Sequence, residues 1–316
     1  MNITGIASKK SFELGLFLIV LILLAASPLY APEYAVILMT SIFMYIILTV
    51  SWVMFSGPTG YVSLAPAAFF GAGVYTSALL GLVLPFPVVV VIGGLVSFCL
   101  AALVGALTLR LRGIYFVMFT FGFVELLLHF VLWWEVNITG TTGRVVPGTD
   151  NTTAFLFMLG VFVILMVVVY VIKNSRFGLA LQSIGEYEEA AAHTGINVTA
   201  LKITAFAVSA FFMGAAGAIM ATRWTYIDPR IAFNPILSFM PVLMAIFGGM
   251  GNLLGPIIGA AIFTYLEEFL ITRFPYYYML IFGVILLVTI LYLPGGIVGL
   301  IQKIWKRISE RENADT

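Results

Sequence analysis

The sequence predicts an all-α polytopic membrane protein with about ten transmembrane helices. Of its 316 residues, 62% are hydrophobic and only 9% are charged, and its mean hydropathy is +1.13. A soluble globular domain is closer to about half apolar and about a quarter charged. The apolar runs lack the alternation of barrel strands, and a helix satisfies every backbone polar group within its own segment. The net charge of +1 gives no indication of a nucleic-acid partner, so the lipid bilayer is the first partner that we expect.

Ten segments approach the roughly 20 apolar residues that a helix needs to cross the hydrocarbon core. The eighth and ninth are separated only by GGMGN and could instead form one bent unit. No loop is long enough for a soluble domain, so we expect a single transmembrane domain over residues 1–316. The ten predicted spans run near 12–31, 34–55, 64–83, 87–109, 113–134, 153–172, 201–221, 236–250, 252–271 and 276–294.

The distribution of basic residues predicts that both termini are cytoplasmic. With the N-terminus inside and the spans alternating, eleven of the fifteen Lys and Arg residues fall in cytoplasmic segments and four fall outside. This excess follows the positive-inside rule, and two basic tails on the same side require an even number of spans. The longest inner loop is then 173–200, the longest outer loop is 135–152, and residues 295–316 form a cytoplasmic tail.

The long inner loop contains an unusually polar stretch, GEYEEAAAHTGIN, at 185–197. Glu and Ala favour helix, no Gly or Pro interrupts EYEEAAAH, and Gly195 follows where a helix end needs a left-handed residue. We therefore predict a short helix, a turn and then the seventh span near Leu201. A solvated linker helix would have the same composition, so composition alone leaves the role of this stretch open.

Four residues of this stretch form the pattern E-A-A-x-x-x-G, which resembles the coupling loop of ABC importer permeases. In that family, a short cytoplasmic helix docks in a groove of the ATP-hydrolysing subunit. Small Ala residues allow close approach, and acidic side chains can bind basic residues of a partner. The pattern lacks the I-x-L-P ending of the longer motif in other ABC permeases. The residues to which the resemblance assigns an ATPase-coupling role are Glu186, Glu188, Glu189, Ala190, Ala191 and Gly195.

The resemblance extends over most of residues 55–270. Segments that are similar to branched-chain amino-acid ABC permeases, in particular to the LivM-type subunit, are GYVSLAPAAFFGAGVYTSALL (60–80), RGIYFVMFTFGFVELLL (112–128), the stretch 174–219 and FGGMGNLLGPIIGAA (247–261). Urea permeases of the same superfamily share much of this pattern. The resemblance therefore indicates a family more firmly than it indicates a substrate.

Membership of this family implies the permease subunit of an ATP-driven importer that moves branched-chain amino acids inward by alternating access. Its partners would be two cytoplasmic ABC ATPase subunits, a second homologous permease chain, which the LivM-type resemblance makes a heterodimer partner, and an extracytoplasmic substrate-binding protein. The location would be the inner membrane of a prokaryotic cell. Alternatives are an ABC permease for urea or another small solute, and an ion-coupled secondary transporter.

The chain itself is expected to be a transport subunit and no enzyme. It contains no G-x-x-x-x-G-K-[ST] phosphate loop, so ATP and Mg²⁺ would bind to the partner subunits. Nor do the predicted spans contain metal-ligand spacing or a nucleophile beside a base. We therefore expect no cofactor and no metal on this chain.

Gly and Pro interrupt the predicted helices at two similar places. GYVSLAP (60–66) follows the second span and PRIAFNP (229–235) follows the seventh, and each ends in a proline before a helix-length run. Five spans separate the two stretches, so they would have opposite orientations, as in an inverted repeat of spans 2–5 and 7–10. Transporters often bind substrate at such broken helices, although Gly and Pro can also simply shape a turn. The resulting candidates for lining the substrate path are Gly60, Ser63, Ala65, Pro66 and Pro235.

Glu125 lies near the middle of the fifth span, where an ionised carboxylate is costly. His129 lies one helical turn later on the same face. Two interpretations remain open: a substrate-linked or proton-linked carboxylate that faces the path, or a structural hydrogen bond to His129 or to a neighbouring helix. An ion-coupled transporter would use Glu125 as its ionisable centre, whereas an ABC importer needs no coupling proton.

Overall fold

A computed structural model describes residues 21–277 except 225, together with residues 280, 281, 283–285, 287, 296 and 299. Residues 21–26 are helical, a 3-10 turn at Ser27–Leu29 follows them, and a π-helical turn at Glu135–Thr139 continues the helix that ends at Trp134. Strand β1 (Arg144–Val145) pairs antiparallel with β2 (Tyr226–Ile227). The α-helices are α1 (Glu33–Thr59), α2 (Pro66–Leu80), α3 (Phe86–Thr108), α4 (Ile114–Trp134), α5 (Asn151–Lys173), α6 (Arg176–Glu186), α7 (Glu188–His193), α8 (Val198–Ala221), α9 (Pro229–Ala232), α10 (Ile236–Gly248) and α11 (Leu254–Arg273).

Seven helical stretches in the described part are long and apolar enough to cross a membrane, which confirms a polytopic α-helical membrane protein. The predicted count of ten continuous spans is not reproduced. The predicted third span near 64–83 is instead a helix of 15 residues, α2, which covers only about 22 Å at about 1.5 Å per residue. Of the predicted span near 12–31, the structure describes only residues 21–31, which are helical at 21–26, and the predicted span near 276–294 lies mostly outside the described residues.

The segment between α1 and α2, residues 60–65, is not helical. Ser63 and Ala65 are buried, and an unpaired peptide group at such a position would cost several kcal/mol in a membrane. Gly60 begins the segment with φ +70°, a conformation that favours glycine. Five side-chain hydrogen bonds satisfy backbone groups in or next to the break: Trp52 Nε1 to Ser63 O (2.8 Å), Tyr61 N to Thr59 Oγ1 (3.3 Å), Leu64 N to Thr120 Oγ1 (3.0 Å), Ala65 N to Ser63 Oγ (3.2 Å) and Ala67 N to Ser238 Oγ (3.1 Å).

Helices α2, α3 and α8 pack backbone against backbone at the centre of the protein. A Cβ atom on Gly73 of α2 would overlap the carbonyl of Gly214 in α8, and a Cβ atom on Gly214 would overlap Ser97 of α3. Ser97 Oγ also donates to Phe69 O of α2 at 2.8 Å. Small residues let helices approach closely, and such packing drives helix association in lipid. The short helix α2 is therefore held by both of its neighbours along its length.

The connecting loops gather on two faces, as alternating spans require. Tyr61, Leu109 and Lys202 meet on one face, where Lys202 Nζ donates to Tyr61 Oη and to Leu109 O, both at 3.0 Å. On the other face, Asn151 Nδ2 donates to Glu33 Oε1 at 2.8 Å, and β1 pairs with β2. We call the first the inner face, because the distribution of basic residues assigns its loops to the cytoplasm, and the second the outer face.

The two halves of the chain share the order long helix, break and short helix. The first half has α1, the break at 60–65 and α2, and the second has α8, α9, the break at 233–235 and α10. The first turns of the two short helices that follow the breaks contact each other through the bond between Ala67 N of α2 and Ser238 Oγ of α10. The eighth and ninth predicted segments are two helices, α10 and α11, rather than one bent unit. Because the tenth span lies mostly outside the described residues, the inverted repeat stays a prediction.

We expect Gly214→Val to destabilise the protein by about 3 kcal/mol, because a branched side chain there would force α3 and α8 apart. The matched control is Gly160→Val in α5, where an added Cβ would meet no atom within 4 Å. Thermal unfolding of the detergent-purified variants, followed by tryptophan fluorescence, measures the difference. Equal midpoints for the two variants would contradict the packing argument.

Candidate functional site

Two short helices on the inner face occupy the predicted loop 173–200. Helix α6 begins at a Ser175 N-cap and ends at Glu186. Tyr187 is extended, with φ −157° and ψ 99°, and separates α6 from α7. The prediction of one continuous helix through EYEEAAAH is therefore wrong at its start, because Glu186 belongs to α6. Gly195 follows α7 with φ +85°, which confirms the predicted left-handed helix end.

Glu188, in the first turn of α7, points into the protein and binds Lys202 of α8. Lys202 Nζ lies 2.9 Å from Glu188 Oε1, and Tyr61 Oη donates to Glu188 Oε2 at 2.7 Å. Arg112 Nη2 lies 3.7 Å from Glu188 Oε1. We call Tyr61, Arg112, Glu188 and Lys202 the inner cluster. It joins α7 to α8, to the break between α1 and α2, and to the turn between α3 and α4.

The opposite charges of the inner cluster compensate each other, although the Lys202 side chain is only 3% exposed. Burial would raise the pKa of the Glu188 carboxyl, but hydrogen bonds from Lys202 and Tyr61 and the charges of Lys202 and Arg112 lower that pKa below its ordinary value. The stabilising contribution of Glu188 is therefore present above the ordinary carboxyl pKa and is lost as the pH falls through the folded-state pKa. At neutral pH, the cluster keeps α7 attached to α8.

The remaining side of α7 faces solvent. The Glu189 side chain is 60% exposed, and Arg112 Nη1 lies 3.4 Å from its Oε1. Ala191 is turned inward with Glu188, so two of the predicted coupling residues hold the helix against the protein. The predicted coupling residues that a partner could reach are Glu186, Glu189, Ala190 and Gly195.

A cleft of about 470 Å³ opens beside α6 on the inner face. It brings together the end of α1, including Pro58 and Gly60, and residues 250–253 of the second Gly-rich stretch. Of the five residues at the two breaks that were predicted to line the substrate path, Gly60 is the one that lies at the protein surface. Ser63, Ala65 and Pro66 are buried within this chain, where they form the break, and Pro235 is partly buried at the start of α10.

Glu125 lies on α4, the least buried of the seven candidate spans. Its side chain is 40% exposed, and the 74% exposed His129 places Nε2 3.9 Å from Glu125 Oε2. Among the described residues, no neighbouring helix makes a hydrogen bond to Glu125. The interpretation that Glu125 binds a neighbouring helix therefore has no support. A carboxylate exposed at this depth needs water or another protein chain beside it, because lipid does not solvate it.

A second ion cluster lies on the outer face. The buried side chain of Glu135 accepts from Tyr75 Oη at 3.3 Å and from Gly143 N at 2.8 Å. Arg144 Nε lies 3.5 Å from Glu135 Oε1. Arg144 belongs to β1, and the pairing of β1 with β2 joins the predicted outer loop 135–152 to the segment after α8 in one surface. We call Tyr75, Glu135 and Arg144 the outer cluster.

Sequence reasoning misses the main anchors of both clusters. It uses Lys202 only as a marker of topology and does not single out Tyr61, Tyr75 or Glu135. A lysine at the fifth position of an apolar helix is nevertheless a usable signal, since its ammonium needs a partner or must reach the interface. The tyrosines give no comparable signal, because most aromatic residues of such a chain pack against helices or lipid.

The chain matches the family model described as Branched-chain amino acid transport system / permease component over residues 34–290. It is 27% identical to the high-affinity branched-chain amino acid transport system permease protein LivM of Salmonella typhimurium and, separately, to that of Escherichia coli, and each alignment covers 89% of this chain and 74% of the relative. It is 26% identical to the ribose import permease protein RbsC of Haemophilus influenzae over 54% of this chain and 59% of that relative. No solved structure matches the chain.

The matched region includes α1 to α11 and therefore both ion clusters. With the seven apolar helical stretches, the match identifies a multi-pass membrane protein that is an ABC-type permease for a small solute. Its relatives are transport subunits, which agrees with the expectation that it is no enzyme. The chain belongs to the family of branched-chain amino acid transport system permease components.

Proposed function

We propose that this chain is the permease subunit of an ATP-driven importer of branched-chain amino acids in a prokaryotic inner membrane. Two cytoplasmic ABC ATPase subunits, which bind ATP and Mg²⁺, would dock on the inner face. A second, homologous permease chain would complete a heterodimer, and an extracytoplasmic binding protein would deliver substrate to the outer face. The attachment of α7 through the inner cluster is the observation that carries this proposal.

The inner cluster suits the transmission of an ATP-driven movement. A helix of six residues has little stability of its own, so its position depends on its contacts. Glu188 ties α7 to Lys202 of α8 at 2.9 Å and to Tyr61 beside the break at 2.7 Å. Closure of the ATPase subunits on the exposed side of α7 would therefore move α8 and the start of the break together. Such a movement would open the path alternately to the two sides.

Two observations favour amino acids over a neutral sugar as substrate. The LivM relatives align with 89% of this chain, whereas the ribose permease of Haemophilus influenzae aligns with 54%. The exposed Glu125 carboxylate on α4 could also bind the ammonium group of an amino acid, which a sugar or urea lacks. Uptake of labelled leucine and of labelled ribose by the reconstituted importer would discriminate between these classes.

We expect Glu189→Arg to abolish ATP-driven uptake in proteoliposomes, because it reverses the charge on the exposed side of α7. The ATPase subunits should also no longer co-purify with the permease in mild detergent. The control is Arg112→Ala, which breaks the same 3.4 Å pair and the 3.7 Å contact with Glu188 but leaves Lys202 and Tyr61 bound to Glu188 and the surface of α7 unchanged. Exposed pairs contribute about 1 kcal/mol or less, so this variant should keep most of its uptake. Normal uptake by Glu189→Arg would contradict the coupling assignment.

We expect Glu188→Gln to lower the free energy of unfolding by about 3–5 kcal/mol, because it leaves the buried Lys202 ammonium without its carboxylate. The double variant Glu188→Gln with Lys202→Met removes both charges and should recover at least half of this loss. Unfolding in mixed detergent and denaturant measures the two values. A double variant that is less stable than Glu188→Gln alone would show that the pair is not the source of the loss.

We expect Glu125→Gln to reduce the initial rate of leucine uptake at low concentration about tenfold, since one lost charge contact of about 1.4 kcal/mol has that effect. The control is Glu33→Gln, which changes an exposed carboxylate on the outer face. Labelled-leucine uptake by both variants, normalised to permease content, is the measurement. An uptake rate within twofold of that of the unsubstituted protein would indicate that Glu125 has a structural role and does not bind substrate.

A further inference from the structure

Both ion clusters contact the same stretch of chain, which we call the connecting segment, residues 61–75. Tyr61 at its start belongs to the inner cluster, and Tyr75 near its end belongs to the outer cluster. Between them lie the non-helical residues 61–65 and the first ten residues of α2, which alone cover about 15 Å. The connecting segment therefore reaches from one face of the protein to the other.

The connecting segment is packed so that it can move only with its neighbours. Ser63 and Ala65 are buried, and so is α2 from Pro66 to Gly71. The N–H groups at the junction with α2 donate to hydroxyls of α4 and α10. A Cβ atom on Gly71 would overlap the ring of Phe233, and one on Gly73 would overlap the Gly214 carbonyl. A displacement at one end is consequently passed along tightly packed atoms, because close-packed interiors transmit strain.

Each end of the connecting segment is fixed to a surface that a partner would contact. At the outer end, the Tyr75 ring stacks on Phe233 with centroids 5.6 Å apart, and its hydroxyl binds Glu135. Glu135 in turn holds Arg144 of the β1–β2 surface. At the inner end, the Tyr61 hydroxyl donates to Glu188 of α7, and its ring lies 4.4 Å from Lys202 Nζ.

We propose that the connecting segment couples the outer β1–β2 surface to α7, so that docking of a binding protein outside changes the position of the ATPase-docking helix inside. Tyr61 and Tyr75 are the positioning residues of this connection. The inference rests on the proposed function, since it requires an ATPase on α7 and a substrate-loaded binding protein on the outer face. It adds the route between those two partners and the two hydroxyl groups that attach its ends.

The test uses the complete importer in lipid nanodiscs, with the ATPase rate measured without and with binding protein loaded with leucine. The variants are Tyr61→Phe, Tyr75→Phe and the double variant, each of which keeps the ring and removes a hydroxyl. The control is Tyr170→Phe, an exposed tyrosine of α5. We expect normal assembly of all variants and a basal ATPase rate within twofold for Tyr75→Phe and Tyr170→Phe, and the stimulation of each variant is measured relative to its own basal rate. The stimulation by loaded binding protein should fall at least fivefold in both single variants and remain normal in the control.

The double variant distinguishes one route from two local effects. If both tyrosines act through the same segment, the stimulation of the double variant should be no lower than that of the more impaired single variant. The inference would be overturned if the fold losses of stimulation of the two single variants multiplied in the double variant, or if Tyr75→Phe kept normal stimulation. Either result would leave the proposed importer function untouched. If the unsubstituted chain assembles with no ATPase at all, the proposed function fails first and the inference fails with it.

Discussion

The satisfaction of backbone groups at the break between α1 and α2 is the constraint on which the rest of the structure depends. A non-helical segment within a membrane protein is possible only where protein or water, rather than lipid, supplies its hydrogen-bond partners. Trp52, Thr120 and Ser238 supply them from α1, α4 and α10. These bonds require α4 and α10 to lie against the break, and they set the height at which α2 begins. Tyr61 is thereby left at the inner face and Tyr75 at the outer face.

The position of α7 follows from a different balance of energies. Six residues cannot form a stable helix by propensity alone, since the nucleation of a helix is unfavourable. A buried ammonium is more demanding, because an unpaired charge in the interior costs several kcal/mol. The position of Glu188 therefore follows from the need of Lys202 for a carboxylate partner, and the position of Glu188 in turn determines which side of α7 faces inward. Glu189 and Ala190 are left on the exposed side as a consequence of the Glu188 contact rather than of any pattern in their own segment.

The sequence allowed most of the helices to be predicted because hydrophobic length alone identifies them, and α3, α4 and α5 begin and end within two residues of the predicted spans. It overestimated the span near 64–83, since hydropathy does not distinguish the helix Pro66–Leu80 from the apolar non-helical residues 64–65 before it and the apolar turn 81–83 after it. The end of α7 at Gly195 was predictable from local backbone chemistry, whereas its start at Glu188 depends on packing of α6. The clusters were not predictable, because they join residues of different elements, 127 positions apart in the Tyr61–Glu188 bond and 60 apart in the Tyr75–Glu135 bond.

Helix α4 connects these features, although it is the least buried of the candidate spans. Its Thr120 hydroxyl accepts from the break, Glu135 at its outer end binds Tyr75, and Glu125 between them is exposed. The same helix therefore contacts the connecting segment at two heights and presents a carboxylate to its surroundings between those contacts. A charged group or a second protein chain that binds beside Glu125 would directly contact the helix that holds the connecting segment in place. Exposure of α4 is thus compatible with a central role, since its buried side supports the break while its open side carries the polar groups.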